Sequence, residues 1–457
     1  MLRCQPAAAA SSLNGTAFLG HPEPSAIVAW RGQRSISVAE FLRDVAQVAE
    51  ALPSRRYLVN LCTDRYRFAV GLAAALLRDQ VSLLPPAHTP ELLRTLQQGY
   101  AGLYALSDGV STSEMVQTVA YPAETDAAAY VAPDLTFPDT QLAAIAFTSG
   151  STGEPAPHPK SWGRLALGAD GEARSLGLSG SGAALIGTVP PQHMYGLESS
   201  VLLALRNGLA LHAARPFYPA DIRAALEDVP GERVLITTPV HLRALLAEES
   251  RLPPLRLILS ATAPLTVAMA LEAEQRYGAP VHEIYGFTEA GMVASRRTIE
   301  GPQWHALPGV RLWREGAGTR AGGGHVQTEA AFTDVVELED AHTFILQGRS
   351  ADLVNIAGKR TSLAYLDQQL GAIQGVEDGV FFMPDEAEDS ITRLTAFVVA
   401  PRLSRPALMS ALRERIDPAF LPRPLYFVPS LPRNATGKLP RSALVALAAS
   451  CARAHNS

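Results

Sequence analysis

Between Val38 and Tyr285 short apolar runs of strand length alternate with stretches of helical period, and no other feature constrains the fold as strongly. Ser37-Val-Ala-Glu40 is a capping box, and Val38, Phe41, Leu42, Val45, Val48 and Leu52 then recur at helical spacing, which predicts an amphipathic helix. The run from Tyr57 to Cys62 predicts a strand, Phe68 to Leu77 a helix, and Val81 to Leu84 a second strand stopped by Pro85-Pro86. The alternation resumes with helices over 220–226, 242–246 and 266–277 and strands over 234–238, 255–259 and 281–285. Strands alternating with helices predict parallel sheets covered on both faces, an α/β fold. After Gly291 the chain turns to short extended pieces rich in glycine, which predicts a small β subdomain over about 291–347. The tail has its own pattern, a strand from Leu394 to Val399 and a helix from Ala407 to Ile416. The predicted organisation is a large N-terminal domain of stacked α/β sheets over 1–347, a junction at 348–352, and a small α+β C-terminal domain over 353–457.

A chain of 457 residues, 47% of them hydrophobic, is too long for one ordinary core and has ample apolar material for two or more. Its net charge of −5 argues against nucleic-acid binding, which requires a broad basic surface. Charge is uneven all the same. From Arg402 onward nine basic residues (Arg402, Arg405, Arg413, Arg415, Arg423, Arg433, Lys438, Arg441, Arg453) face two acids, Glu414 and Asp417. Such a run reads equally as a solvated face and as a surface that receives an anion or an acidic protein. Cys4, Cys62 and Cys451 have neither disulfide nor metal spacing, which suits a reducing compartment. The apolar run from Phe68 to Leu77 is too short to span a bilayer and Ala7 to Ser12 makes a poor signal peptide, so the expectation is a cytoplasmic protein without a membrane partner.

The segment FTSGSTGEPAPHPKSWG, Phe147 to Gly163, places hydroxyls and glycines behind the apolar run Leu142 to Phe147, as where a strand opens into a phosphate-wrapping loop. A Walker loop is disfavoured, because Gly358-Lys359 and Gly437-Lys438 lack both the upstream glycine and the following hydroxyl. A serine nucleophile at Ser149 or Ser151 lacks a GxSxG elbow. Further along come Pro190-Pro-Gln-His-Met-Tyr-Gly196, Tyr285-Gly-Phe-Thr-Glu-Ala-Gly291, Gly348-Arg-Ser-Ala-Asp-Leu-Val-Asn-Ile-Ala-Gly-Lys-Arg360 and Leu431-Pro-Arg-Asn-Ala-Thr-Gly-Lys-Leu439. In this order and spacing the chain resembles the adenylate-forming superfamily: acyl-CoA synthetases, aryl acid ligases, peptide-synthetase adenylation domains and luciferases.

The resemblance implies that a carboxylate is joined to the α-phosphate of ATP, making an acyl-adenylate that a thiol then attacks. It implies that Thr148, Ser149, Gly150, Ser151, Thr152 and Gly153 hold the β- and γ-phosphates. It implies that Tyr285 stacks on adenine beside Gly286, Thr288 bonds the α-phosphate, and Glu289 supplies a carboxylate to Mg²⁺. Asp334 would accept the ribose hydroxyls although the usual glycine before it is absent, Arg349 would reach ribose and phosphate, and Lys438 would neutralise charge at the reacting centre. His193 and Gly291 would border the acyl pocket. Ala261, Thr262 and Ala263 stand where the family has Gly-Gly-Ala, a replacement that would narrow the pocket beside adenine. Two departures remain. Ala156 takes the place of the phosphate-loop lysine, with Lys160 four residues on, and Arg349-Ser-Ala-Asp352 keeps one hinge acid, leaving the pivot between Ala351 and Asp352. The resemblance further implies a mobile C-terminal domain that rotates between half-reactions. The tail's wording resembles the ligases that load hydroxybenzoate-type aryl acids onto acyl carrier proteins in aryl-polyene or xanthomonadin-type pigment pathways. A CoA acceptor, a medium-chain fatty acid and a non-catalytic carrier-docking relative stay open at this point.

Overall fold

The computed structural model describes residues 15–85, 88, 90–109, 116–123, 130–149, 155–248, 251–316, 318–349, 353–356, 359–384, 394–434 and 437–456. The chain divides into two compact units, one of residues 1–184 with 190–214, the other of 185–189 with 215–457.

The first unit is built on a six-stranded sheet in the order 155–161, 142–149, 81–84, 57–60, 104–107, 118–120. All neighbours are parallel except the outermost pair, Leu142–Ser149 with Pro155–Ser161, which form an antiparallel hairpin. Pro155, Pro157 and Pro159 occupy alternate positions of that outermost strand. The expected capping box is formed: Ser37 Oγ accepts from the Glu40 N–H at 3.2 Å and Glu40 Oε2 accepts from the Ser37 N–H at 2.8 Å. The helix Val38–Ala51 that it starts buries Val38, Phe41, Val45 and Val48. Helix Arg65–Leu77 begins three residues earlier than its apolar run, because Asp64 caps it by accepting from the Arg67 N–H at 2.9 Å. It is buried on nearly all sides, as its Ala-rich sequence requires.

In the second unit, Arg233–Thr237, Leu257–Ser260 and Val281–Phe287 lie side by side in parallel, as the alternation predicts. The strand-rich stretch after Gly291 is distributed over two sheets. Gly291–Arg297, Gln303–Ala306, Thr343–Arg349 and Asp334–Leu338 extend the parallel sheet by antiparallel pairing, while 310–315, 318–323 and 326–331 form a three-stranded sheet of their own. The cause is a hairpin after Phe287 that sends the chain back along the sheet it has just left.

The tail from 363 onward carries a three-stranded sheet, Asp378–Phe382 antiparallel to Thr395–Val399 and the latter parallel to Leu425–Phe427. Alternation of side chains splits its two faces. Phe381, Ala396 and Val398 pack with Leu366, Leu370, Leu408 and Leu412 on one side, and Val380, Phe382 and Phe397 pack with Leu431 and Leu444 on the other. Helix Arg405–Arg413 starts two residues before its predicted bound, since Ser404 caps it and Pro406 fits its first turn. Among the described residues no helix is long and apolar enough to cross a membrane.

One buried ion pair organises the second unit. Glu283, 3% exposed, accepts from the Leu265 N–H at 3.2 Å, from Arg296 Nε at 2.7 Å and from Thr298 Oγ1 at 3.0 Å. Burial pushes its carboxyl up from the usual range, and the Arg296 guanidinium and these donors oppose that push. Arg296 itself lies over the Trp304 ring at 4.5 Å. Removing one partner of such a pair strands the other charge, so Glu283→Ala is expected to cost about 3–5 kcal/mol, read as a lower urea midpoint at unchanged slope.

Candidate active site

The strands Arg233–Thr237, Leu257–Ser260 and Val281–Phe287 are aligned so that Thr237 pairs with Ser260 and Ser260 with Glu283. The residues that follow these three therefore leave the sheet at one edge, on strands about 4.8 Å apart. The crevice beyond the carboxyl ends of parallel strands is where open α/β sheets bind ligands. Ala261, Thr262 and Ala263 leave the middle strand there, and the loop is tied down where the Leu265 N–H meets Glu283. Thr262 has φ of 79°, a left-handed conformation that a β-branched residue adopts only under constraint.

Tyr285 lies one strand over, buried, where Val281–Phe287 runs into the hairpin with Gly291–Arg297. The ladder is irregular between Tyr285 and Gly286, and Phe287 pairs with Gly291. A Cβ at Gly286 would stand 2.5 Å from the Gly291 carbonyl oxygen, so no larger residue fits this crossing. Thr288 and Glu289 lie half-buried on the three-residue turn that this close approach permits. The Tyr285 hydroxyl donates to Asp334 at 2.6 Å. Its ring runs parallel to Phe332 at 5.7 Å and is bordered by Trp304 and Phe344. Asp334 in turn is the cross-strand partner of Arg349. Tyr285, Asp334 and Arg349 are thus joined through one sheet.

Lys438 is exposed on a tight loop at the same edge. Its N–H donates to Asn434 Oδ1 at 2.9 Å and its carbonyl accepts from the Asn434 N–H at 2.9 Å. Gly437 before it has φ of 79°, and a Cβ there would meet Val240 Cγ2 at 2.8 Å and Thr238 Oγ1 at 4.0 Å. Thr238 directly follows the strand Arg233–Thr237, which places the lysine loop beside the edge that carries Ala261 and Tyr285. Thr238 is itself fixed: its hydroxyl and His241 Nδ1 share a hydrogen bond at 2.8 Å, and burial holds that imidazole's pKa below its ordinary value.

In the first unit the expected phosphate loop joins the two strands of the hairpin Leu142–Ser149 and Pro155–Ser161. Gly150, Ser151, Thr152 and Gly153 lie outside the described residues, as do Ala351 and Asp352 of the expected pivot. Thr148 stands one residue before the end of the strand Leu142–Ser149, its hydroxyl 2.9 Å from Nε2 of His158. Lys160 does not take over the position of the absent loop lysine. It pairs with Ala144 while Ala156 pairs with Thr148, so it lies four residues further from the loop, roughly 13 Å along the strand. It is also buried, at 7% exposure. His193 caps a short helical turn, its Nδ1 accepting from the Tyr195 N–H at 3.3 Å. The adjacent Gln192 donates to the Cys62 carbonyl at 2.7 Å, which ties this segment to the carboxyl end of strand Tyr57–Asn60. The π-helix Leu197–Leu202 follows at once, a geometry often found at functional sites.

Sequence reading missed His158, Glu283 and the supports of the lysine loop. His158 left a local trace, standing ten residues after Thr148 in the quoted motif, and so did Asn434, four residues before Lys438 in another. Thr262 supplies a direct test of strain. Thr262→Gly removes the penalty of a left-handed threonine and adds unfolded-state entropy, and the balance is a gain of about 1 kcal/mol, measurable as a higher urea midpoint. A loss instead would show that the threonine side chain contributes more than its backbone costs.

The family model described as AMP-binding enzyme matches residues 65–313, more than half of the chain. The 4-coumarate–CoA ligase of Rhodobacter capsulatus is 30% identical over 301 residues, covering 65% of this chain and 74% of that protein. The 2-succinylbenzoate–CoA ligase of Bacillus velezensis is 26% identical over 437 residues, 86% of this chain and 85% of that one. Among solved structures, o-succinylbenzoate CoA synthetase of Bacillus subtilis with its acyl-adenylate intermediate superposes with a TM-score of 0.79 at 19% identity, over 92% of this chain and 95% of that one. ATP-bound MatB of Rhodopseudomonas palustris gives 0.78 at 21% identity, over 92% and 95%. The chain belongs to the AMP-binding enzyme family, and is an adenylate-forming enzyme.

Proposed function

We propose that this enzyme joins an aryl carboxylic acid of the hydroxybenzoate kind to AMP and passes the acyl group to the phosphopantetheine thiol of an acyl carrier protein. The coarse reaction is that of an ATP-dependent, AMP-forming acid–thiol ligase. A carboxylate oxygen attacks the α-phosphate, pyrophosphate leaves, and the thiol then displaces AMP from the acyl carbon. Little covalent work falls to the protein, so position and charge carry the catalysis.

The observation that carries the reading is the Tyr285–Asp334 hydrogen bond at 2.6 Å with Arg349 across the ladder. It joins an aromatic face, an acceptor for ribose hydroxyls and a cationic residue along one sheet edge. In this reading Thr148 and Ser149, with Gly150 to Gly153, hold the β- and γ-phosphates, Thr288 bonds the α-phosphate, and Gly286 leaves room for adenine. Glu289 is the only acid on its turn, and one carboxylate suits Mg²⁺, which keeps phosphate oxygens and waters as its other ligands. When bound, that ion screens the charge of the polyphosphate. His193, Ala261, Thr262 and Gly291 shape the acyl pocket. Lys438 brings its ammonium to the charge that develops on the α-phosphate and carboxylate. The domain division at 348–352 lets the tail withdraw it before the thiol arrives. A reducing cytoplasm supplies ATP and pantetheine thiols, and suits the buried thiol of Cys62.

Arg402, Arg405, Arg413, Arg415 and Arg423 are exposed on the tail, which supports an acidic carrier protein as acceptor. The second reading is CoA as acceptor, supported by the relatives named above, which are CoA ligases.

Pyrophosphate release with Mg-ATP across 3- and 4-hydroxybenzoate, benzoate, cinnamates and octanoate is expected to be confined to the aryl acids. Octanoate alone as a substrate would overturn that choice. In a loading assay the cognate carrier protein is expected to outcompete CoA, and the reverse order would select the second reading. Lys438→Ala is expected to slow adenylate formation by on the order of 10²–10³ and to leave transfer from supplied acyl-adenylate nearly intact. Equal loss in both half-reactions would refute the division of labour.

A further inference from the structure

We propose that Arg243, Asp378 and Arg433 form a latch that sets the Lys438 loop for adenylation and releases it for thiol transfer. The inference rests on the reading that Lys438 serves the first half-reaction.

Asp378 opens the first strand of the tail sheet and is mostly buried. Arg433 grips it with two nitrogens, Nε to Oδ2 at 2.8 Å and Nη2 to Oδ1 at 2.8 Å. Its third nitrogen, Nη1, donates to the Gly437 carbonyl at 2.9 Å, the peptide group that joins Gly437 to Lys438. The same carboxylate receives Arg243 from the helix Pro239–Ala247, Nη1 standing 3.4 Å from Oδ2. Arg243 is three residues after Val240 and therefore on the same helix face. Val240 is the side chain against which Gly437 rests. One face of one helix thus meets the lysine loop twice, by apolar contact at Gly437 and by charge at Asp378.

The two guanidiniums differ in a way that suits a latch. Arg433 and Asp378 both belong to the tail, are 22% and 16% exposed, and are held in a bidentate pair that moves with the tail as one piece. Arg243 belongs to the helix that follows strand Arg233–Thr237, is 38% exposed, and makes a single longer contact. Water and salt compete with that contact, so it biases one orientation of the tail without trapping it. A weak, reversible tie is what two half-reactions sharing one mobile lysine require. Arg243, Asp378 and Arg433 are positioning residues in this account, acting through Lys438 rather than on substrate.

The test measures the two half-reactions separately on the full-length enzyme: pyrophosphate release with Mg-ATP and acid, and thiol transfer from supplied acyl-adenylate. Arg243→Ala is expected to slow the first by about two- to fivefold, through kcat rather than the KM for ATP, and to leave the second unchanged. Arg243→Lys is expected to restore most of the loss. Asp378→Asn, which removes the anchor for both guanidiniums, is expected to slow adenylation by about tenfold or more and to spare transfer. Raising salt is expected to lower the ratio of adenylation to transfer in the wild type and to leave it flat in Arg243→Ala. Variants that slow both half-reactions together, or a ratio with the same salt dependence in wild type and Arg243→Ala, would overturn the latch. Lys438→Ala separates the two levels. If that variant adenylates normally, the reading of Lys438 falls; if it is selectively impaired while Arg243→Ala and Asp378→Asn are not, the latch alone falls.

Discussion

Parallel strands deliver every connection that follows them to the same edge of a sheet, and the second unit depends on that constraint. Thr237, Ser260 and Glu283 stand in register, so Thr238 and Ala261 leave their strands together beside the third strand, which runs on to Phe287. No long-range attraction is needed to gather them, since the hydrogen-bond ladder already has. The hairpin after Phe287 then turns the sheet antiparallel, and the added strands carry Asp334 to Tyr285. Residues about fifty positions apart in the chain become neighbours because a ladder between them has a fixed spacing.

Two arginine–carboxylate pairs fix the loops that this geometry exposes. Glu283 and Arg296 hold the loop of Ala261 to Leu265 from below, in the interior. Asp378 and Arg433 hold the loop of Gly437 and Lys438 from the side, nearer solvent. The difference in burial matters. An interior pair is costly to disrupt and keeps one arrangement, whereas the single, more exposed contact that Arg243 adds to Asp378 can break at little cost. The rigid pair lies under the loop that replaces two glycines with Ala261 and Thr262, where the left-handed Thr262 is held by its surroundings. The breakable contact lies beside the loop of Gly437 and Lys438.

Local signals were legible in the sequence and long-range ones were not. The capping box at Ser37 and the helix after it lie within four residues and were read from those residues alone. The Tyr285 segment was legible as a motif, and in the structure a Cβ at Gly286 has no room while Gly291 takes a φ of 82°. Arg243 and Asp378 are 135 positions apart, and nothing near either residue announces the other. Glu283 looked like one more polar residue at the end of an apolar run, because its partners Leu265, Arg296 and Thr298 come from three different segments. Lys160 shows how little a spacing says until the local structure is known. Four residues in a loop keep a side chain close, but four residues along a paired strand carry it out of reach. The stretch after Gly291 was legible as short strands, but strand length and glycine content say nothing about which sheet each strand joins.

The alternate prolines of the hairpin have a consequence for assembly. In a strand whose Ala156, His158 and Lys160 pair with its neighbour, Pro155, Pro157 and Pro159 have their nitrogens on the opposite side, and none carries a hydrogen. The outer side of the strand therefore offers carbonyl acceptors and no donors, with Pro157 and Pro159 exposed along it. A further strand, from another copy or from an unfolding chain, would find half of its ladder missing. This edge of the sheet is protected from edge-to-edge aggregation by its chemistry, through prolines that offer a further strand no donors.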